Sequence, residues 1–145
     1  MIHGIDHTAL SVPDMDKALD FYSGVLGFEV LMNFAWPSGA KPLDDLVGLA
    51  DSASKVAMLQ LGDTKIEIFE YQNPAGKPQD ADRPVCDHGI IHLCLAVSEI
   101  DEEYARLAEA GVRFNSAPID MGRETCVYGR DPFGNVLELI EKKPA

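Results

Sequence analysis

Hydrophobic and polar residues follow two periods along this chain, and the order in which they occur is repeated. Alternation at every second residue predicts strands, and recurrence every three to four residues predicts helices. In the first half the pattern predicts a strand, a helix and three more strands, at residues 5–12, 15–26, 28–34, 55–61 and 64–71. In the second half it predicts the same order, at residues 88–97, 99–110, 112–115, 125–130 and 135–141. The chain is therefore predicted to be an α+β protein built from two βαβββ modules.

Capping and turn residues mark the ends of these elements. Asp14 and Ser98 precede the two helical patterns and are predicted N-caps, while Gly27 and Gly111 follow them and are predicted stops. Gly62-Asp63 separates two alternating runs and predicts a hairpin turn. Local chemistry thus agrees with the hydrophobic period at each predicted boundary.

The two modules are predicted to form a single domain that spans the whole chain. Module 1 covers about residues 1–71 and module 2 about residues 88–145. Residues 72–87 are rich in proline and charge and lack periodicity, so they are predicted to link the modules.

A long loop is predicted at residues 35–54, with a short helical turn at about 43–48. Long loops in small domains are often binding loops, so Trp36 is a candidate for contacting a substrate. The alternative is that this side chain only attaches the loop to the core.

The repeat places two histidines and two glutamates at equivalent positions. Aligning HTALSVPDMDKAL with HLCLAVSEIDEEY sets His7 on His92, and aligning GDTKIEIFE with FGNVLELIE sets Glu67 on Glu138. Each module therefore has one histidine on an early strand and one glutamate on a late strand. A glutamate within an apolar strand is disfavoured unless its carboxylate meets water, a cation or a hydrogen-bond donor.

Two imidazoles and two carboxylates are suitable ligands for a divalent metal such as Zn, Ni, Co or Mn. Their shared position in a repeat favours a metal site, although any one of them alone is more often a solvent-facing strand residue. Glu70 and Glu141 also match each other, but they lie three residues further on, which predicts the opposite strand face and solvation at the sheet edge.

Composition limits the partners of the protein. Its 145 residues are 46% hydrophobic and 25% charged, which is typical of a soluble globular domain, and the net charge of −12 argues against nucleic acid and anionic membranes as partners. The three cysteines lack a CxxC spacing and are predicted to be reduced thiols. No leader pattern and no apolar stretch of membrane length is present, so we expect a cytoplasmic protein with a small-molecule substrate.

Three further residues of the second half are candidates for binding a substrate. Arg123 and Arg130 can receive an anionic group, and Tyr128 lies between them in sequence. Surface charge for the arginines and core packing for the tyrosine are the alternatives.

Three stretches of the chain carry a resemblance to a known family. DHTALSVPDMDKALDFYSGVLGF, GIIHLCLAVSEID and YGRDPFGNVLELIE resemble the vicinal oxygen chelate superfamily, which includes glyoxalases, bleomycin-resistance proteins and extradiol dioxygenases. The resemblance implies paired βαβββ modules that form a curled mixed sheet around a metal cleft, commonly in a homodimer. It places the metal ligands at His7, Glu67, His92 and Glu138.

Within that superfamily, a set of four protein ligands is similar to bacterial glyoxalase I and to methylmalonyl-CoA epimerase. The implied activity is that of a metal-dependent lyase or isomerase that removes a proton next to a metal-bound carbonyl through an enediolate, with Glu138 and Glu67 as bases. Ser11 and Tyr71 replace an arginine and an asparagine of many bacterial glyoxalases, which argues against glutathione as cosubstrate. Glu67 replaces the glutamine that is usual in the epimerases.

Two alternatives from other classes remain. An iron-dependent extradiol dioxygenase needs only three protein ligands, and Glu67 would occupy a position that such an enzyme keeps open. A non-catalytic protein that binds a small molecule needs a cleft but no acid–base pair.

Overall fold

The computed structural model describes residues 1–144, and its first unit follows the predicted order of elements. Strand β1 (His7–Ser11) leads into helix α1 (Met15–Leu19), which continues as a π-helical segment at Asp20–Val25. The carboxylate of Asp14 accepts the N–H of Lys17 at 3.1 Å, which confirms the predicted N-cap. Gly27, with φ of 81°, follows the last helical turn, as predicted.

The remaining elements of the first unit are strands β2 (Glu29–Trp36), β3 (Ala53–Leu61) and β4 (Thr64–Asn73) and helix α2 (Lys41–Val47). The sheet has the order β1-β4-β3-β2, with β1 parallel to β4 and the other pairs antiparallel. Leu61 pairs with Thr64, so Gly62 and Asp63 form the predicted two-residue turn. The region predicted as a long loop is shorter than expected, because β2 extends to Trp36 and α2 occupies much of the remainder.

The second unit contains β5 (His92–Ala96), α3 (Ile100–Glu109), β6 (Arg113–Phe114), β7 (Ile119–Asp120), β8 (Glu124–Arg130) and β9 (Val136–Lys142). Its sheet has the order β5-β9-β8-β6, and β7, which was not predicted, also pairs with β8. The N-cap of α3 is Glu99, in a left-handed conformation, and not Ser98. The reason is tertiary, because the backbone N–H of Glu99 donates to the carboxylate of Glu141 at 2.6 Å.

In each unit the helix packs against the late strand that carries the glutamate of the repeat. Helix α1 contacts β4, and α3 contacts β9. Ile66 and Ile68 of β4 are buried, as are Leu137 and Leu139 of β9. Since side chains alternate along a strand, Glu67 and Glu138 lie on the sheet faces opposite to these apolar residues. The fold is thus α+β, with two mixed sheets that each have one apolar core face.

The chain forms two compact units, Met1–Pro78 and Gln79–Ala145. The segment predicted to be a linker is divided between them, since β4 extends to Asn73 and residues 79–87 belong to the second unit. The amide of Gln79 donates to the carbonyl oxygen of Phe133 at 3.0 Å. Gly134 allows a close approach, because a Cβ there would lie 2.7 Å from the Cα of Ala81.

Across residues 1–144, no helix has the length and apolar character of a membrane span.

Candidate functional site

The first predicted histidine and glutamate meet in the first unit. Strands β1 and β4 run in parallel with His7 aligned to Lys65 and Ala9 aligned to Glu67. His7 Nε2 therefore lies 3.3 Å from Glu67 Oε2, with 36% and 18% of the two side chains exposed. The pair is therefore partly open to solvent.

The second unit repeats this arrangement with the same strand register. His92 is aligned to Val136 and Cys94 to Glu138 on the parallel strands β5 and β9. His92 Nε2 lies 3.1 Å from Glu138 Oε2, and 25% and 15% of these side chains are exposed. The internal repeat found in the sequence is thus present in the strand pairing itself.

The separation of the donor atoms fits a divalent metal. Two ligands that each lie 2.0–2.2 Å from one ion, at bond angles between octahedral and tetrahedral values, are roughly 2.8–3.6 Å apart. Both pairs fall in this range, which also suits a hydrogen bond between imidazole and carboxylate. Each unit contains one such His–Glu pair, and within residues 1–144 no three His, Cys, Asp or Glu side chains are grouped so that they can hold an ion.

The two histidines differ in the partner of their second ring nitrogen. His7 Nδ1 lies 2.9 Å from the carboxylate of Asp6, which also accepts from Lys65 Nζ at 2.9 Å. The hydrogen bond from His7 and then the interaction with Lys65 lower the pKa of Asp6, so it is charged at neutral pH. An anion at Nδ1 favours the proton there and leaves Nε2 as a lone-pair donor.

In the second unit Ile91 and Val136 take the positions of Asp6 and Lys65. His92 Nδ1 is buried and has no hydrogen-bond partner in the described part of the chain, residues 1–144. The ring of His92 instead lies near that of Tyr128, with centroids 5.1 Å apart. The contacts of Asp6 with His7 and with Lys65 were not predicted, and the charge difference between the two copies was the signal in the sequence that pointed to them.

Glu138 lies among neutral polar groups of its sheet. Tyr128 is its partner on β8 and Cys94 its partner on β5. Loss of hydration, followed by a hydrogen bond to Glu138, raises the pKa of the Cys94 thiol to about 11, so the thiol stays protonated at neutral pH. Loss of hydration and the charge of Glu138 also raise the pKa of Tyr128. Tyr128 therefore lies beside both His92 and Glu138. The position of Cys94 beside Glu138 was not predicted from the sequence.

The other predicted substrate-binding residues have different surroundings. Trp36 is only 6% exposed, and its indole N–H donates to Ser52 Oγ at 3.0 Å, which are the contacts expected if it attaches the loop to the core. Arg130 donates to the carbonyl oxygens of Gly134 and Arg83 and so joins two backbone segments. Arg123 is exposed in the turn that follows β7. Substrate binding by these three side chains and by Tyr128 stays a prediction.

Comparison with known proteins finds relatives of two reaction types. A 2-epi-5-epi-valiolone epimerase from an Actinomyces species is 32% identical, over 94% of this chain and 78% of its own length. A lactoylglutathione lyase from Neisseria meningitidis serogroup A is 27% identical, over 94% and 89%. Human mitochondrial methylmalonyl-CoA epimerase is 26% identical, over 93% and 72%.

Solved structures show the same fold. A glyoxalase family protein from Bacillus cereus superposes with a TM-score of 0.90 at 20% identity, over 99% of this chain and 97% of that one. The fosfomycin resistance protein FosX from Listeria monocytogenes, solved with Mn(II) and sulfate, has a TM-score of 0.65 at 19% identity, over 99% and 95%. A family model for the Glyoxalase/Bleomycin resistance protein/Dioxygenase superfamily matches residues 4–139. Together with the strand register and the epimerase and lyase relatives, this match shows that the chain belongs to that superfamily.

Proposed function

We propose that the protein is a divalent-metal-dependent lyase or isomerase that moves a proton next to a substrate carbonyl. Its proposed ligand set is His7, Glu67, His92 and Glu138. The observation that supports this most strongly is the repetition of one His–Glu pair, at 3.3 and 3.1 Å, in the same strand register of both units. Packing of the helices on the sheets does not require such a pair, because each pair lies on the sheet face opposite to Ile66 and Ile68 or to Leu137 and Leu139.

The residues of the site divide the chemistry between them. A bound divalent cation supplies Lewis acidity that makes a proton beside the carbonyl easier to remove. Glu138 and Glu67 are the proposed bases, because each carboxylate is partly exposed and can accept a proton and return it. Return to the other face of the same carbon gives epimerisation, and return to the neighbouring carbon gives isomerisation. The two epimerases among the relatives support the first outcome.

Elemental analysis of the purified protein tests the metal site directly. We expect about one Zn, Ni, Co or Mn ion per chain, its loss in the His92→Ala variant, and a partial loss in Glu67→Gln, whose amide keeps one oxygen ligand. His88→Ala is the matched control, because His88 is exposed and lies outside the proposed ligand set. A protein that binds none of these ions after reconstitution would contradict the proposal, and bound iron would favour the dioxygenase alternative. A metal-loaded protein is then to be screened with hemithioacetals and acyl-CoA thioesters.

Asp6 provides a separate prediction about the affinity for the metal. We expect Asp6→Ala to weaken metal binding roughly 10- to 100-fold, because His7 loses the acceptor that orients its ring. Asp6→Asn retains an oxygen acceptor and is expected to lose less. The measurement is the metal Kd from competition with a chromophoric chelator, with Asp63→Asn in the β3–β4 turn as control. Equal affinities in Asp6→Ala and the control would rule out this role for Asp6.

A further inference from the structure

Aromatic side chains continue the face of β4 that carries Glu67. Glu67, Phe69 and Tyr71 are alternate residues of this strand and therefore point to the same side of the sheet. The rings of Phe69 and Tyr71 are stacked, with centroids 5.6 Å apart and planes inclined by 9°. The candidate ligand Glu67 thus lies at one end of a row of aromatic residues.

Two more rings reach this row from β2. Trp36 is paired with Ser54 of β3, which is paired in turn with Tyr71, so the small serine lets the two rings meet across the middle strand. The centroid of Trp36 lies 6.2 Å from those of Tyr71, Phe69 and Phe34. We call Phe34, Trp36, Phe69 and Tyr71 the aromatic wall.

The aromatic wall borders the carboxylate and stays partly exposed. Loss of hydration and then the charge of Glu67 raise the pKa of Tyr71. Phe34 is 40% exposed, and Met32, which is linked to Glu67 through the pairing with Met58, is 48% exposed. Apolar area left in water costs free energy, so a patch of this kind beside a polar pair indicates a binding surface.

The fold of the module does not require this wall. At the equivalent positions of the second unit, Ile140 and Lys142 stand where Phe69 and Tyr71 stand in the first. Both units nevertheless form the same strand register and the same His–Glu contact. The strand register and the His–Glu contact therefore do not depend on the aromatic residues.

We propose that the aromatic wall binds an aromatic substituent of the substrate, so that the preferred substrates are small α-oxygenated carbonyl compounds that carry an aryl group. This inference rests on the proposed function, since it takes the reacting oxygens to lie at Glu67. Aromatic pockets bind planar apolar groups through area burial and ring contacts. The long polar tail of glutathione or CoA needs several hydrogen-bond partners, and the indole N–H of Trp36 is already used by Ser52.

Mandelate and lactate test this inference, because both carry one hydroxyl and one carboxylate and differ in phenyl against methyl. We expect mandelate to bind at least about tenfold more tightly, from the extra apolar area that it buries. The Kd values are measured by calorimetry on the metal-loaded protein. Trp36, the single tryptophan of the chain, supplies a local fluorescence signal from the wall itself.

Variants identify the wall as the source of the preference. Phe34→Ala and Tyr71→Ser are expected to bring the ratio of the two Kd values close to one, without weakening lactate. Ile119→Ala is the control, because Ile119 is a 53% exposed apolar residue of the second unit, and it is expected to keep the ratio. Equal binding of the two acids, no binding of either, or an unchanged ratio in both wall variants would overturn the inference.

Metal-free protein and the oligomeric state in solution supply two further outcomes. If metal-free protein still binds mandelate more tightly than lactate, the inference that the aromatic wall binds the phenyl group stands. If the purified protein also contains no metal, only the proposed function fails. A wild-type dimer that dissociates in Phe34→Ala and shows no phenyl preference would mean that a second copy covers the wall, and would overturn the inference.

Discussion

Glu138→Gln is expected to lower kcat roughly 10²- to 10⁴-fold while leaving the fold and part of the metal in place. Glutamine has nearly the same shape and keeps one oxygen that can bind a cation, but it does not accept a proton at neutral pH. The loss therefore appears in turnover and in the exchange of the substrate α-proton with solvent deuterium. Both are measured on a substrate found in the screen.

Glu141→Gln is the matched control for this variant. Glu141 lies on the same strand, but its carboxylate accepts the N–H of Glu99 and faces the helix. We expect this variant to retain proton exchange, with at most a small loss of stability. Turnover that is unchanged in Glu138→Gln would exclude that residue as the base, and a loss only in Glu67→Gln would assign the role to the first unit.

Asp131→Ala is expected to destabilise the second unit by about 3 kcal/mol, because a charged acceptor is removed from a buried turn. Asp131 is 3% exposed, and its carboxylate accepts the backbone N–H groups of Phe133 at 2.9 Å and Asn135 at 2.7 Å. It also accepts the side-chain amide of Asn135 at 2.8 Å. These bonds shape the DPFG turn that leads into β9, the strand that carries Glu138.

Urea denaturation followed by far-UV circular dichroism measures this loss. Trp36 fluorescence, recorded in parallel, reports on the first unit and shows whether the two units unfold together. Asp63→Ala, in the exposed turn between β3 and β4, is the control and is expected to change stability by less than about 0.5 kcal/mol. Equal effects of the two substitutions would show that the hydrogen bonds of Asp131 contribute little.

Glu70 and Glu141 were predicted to be solvated at the sheet edge, on the face opposite to the ligands. The face was predicted correctly, but the solvation was wrong. Glu70 Oε2 accepts the N–H of Met15 at 2.7 Å and Lys55 Nζ at 3.0 Å. Glu141 likewise accepts the N–H of Glu99. Each glutamate thus binds the N-terminus of the helix that covers its sheet, where unpaired N–H groups favour an anion.

Features that depend on short stretches of chain were determined by the sequence alone. Alternation, caps and glycine stops predicted the order of strands and helices, since these are set by local backbone preferences and by one buried face per element. The repeat predicted one histidine on an early strand and one glutamate on a late strand of each module. The structure has His7 and His92 on β1 and β5 and Glu67 and Glu138 on β4 and β9, and it adds that the two side chains of each module lie side by side.

Only the tertiary structure decided the contacts between residues far apart in sequence. The N-cap of α3 is Glu99 because β9 places Glu141 beside it. The segment at 79–87 packs within the second unit because Gly134 leaves room for its backbone and Arg130 donates a hydrogen bond to it. In the aromatic wall, rings of β2 and β4 meet across a serine, and the hydrophobic periodicity within one strand does not predict such a contact. Register and side-chain packing are set by the summed energy of many distant residues, so they become visible only when the strands are placed side by side.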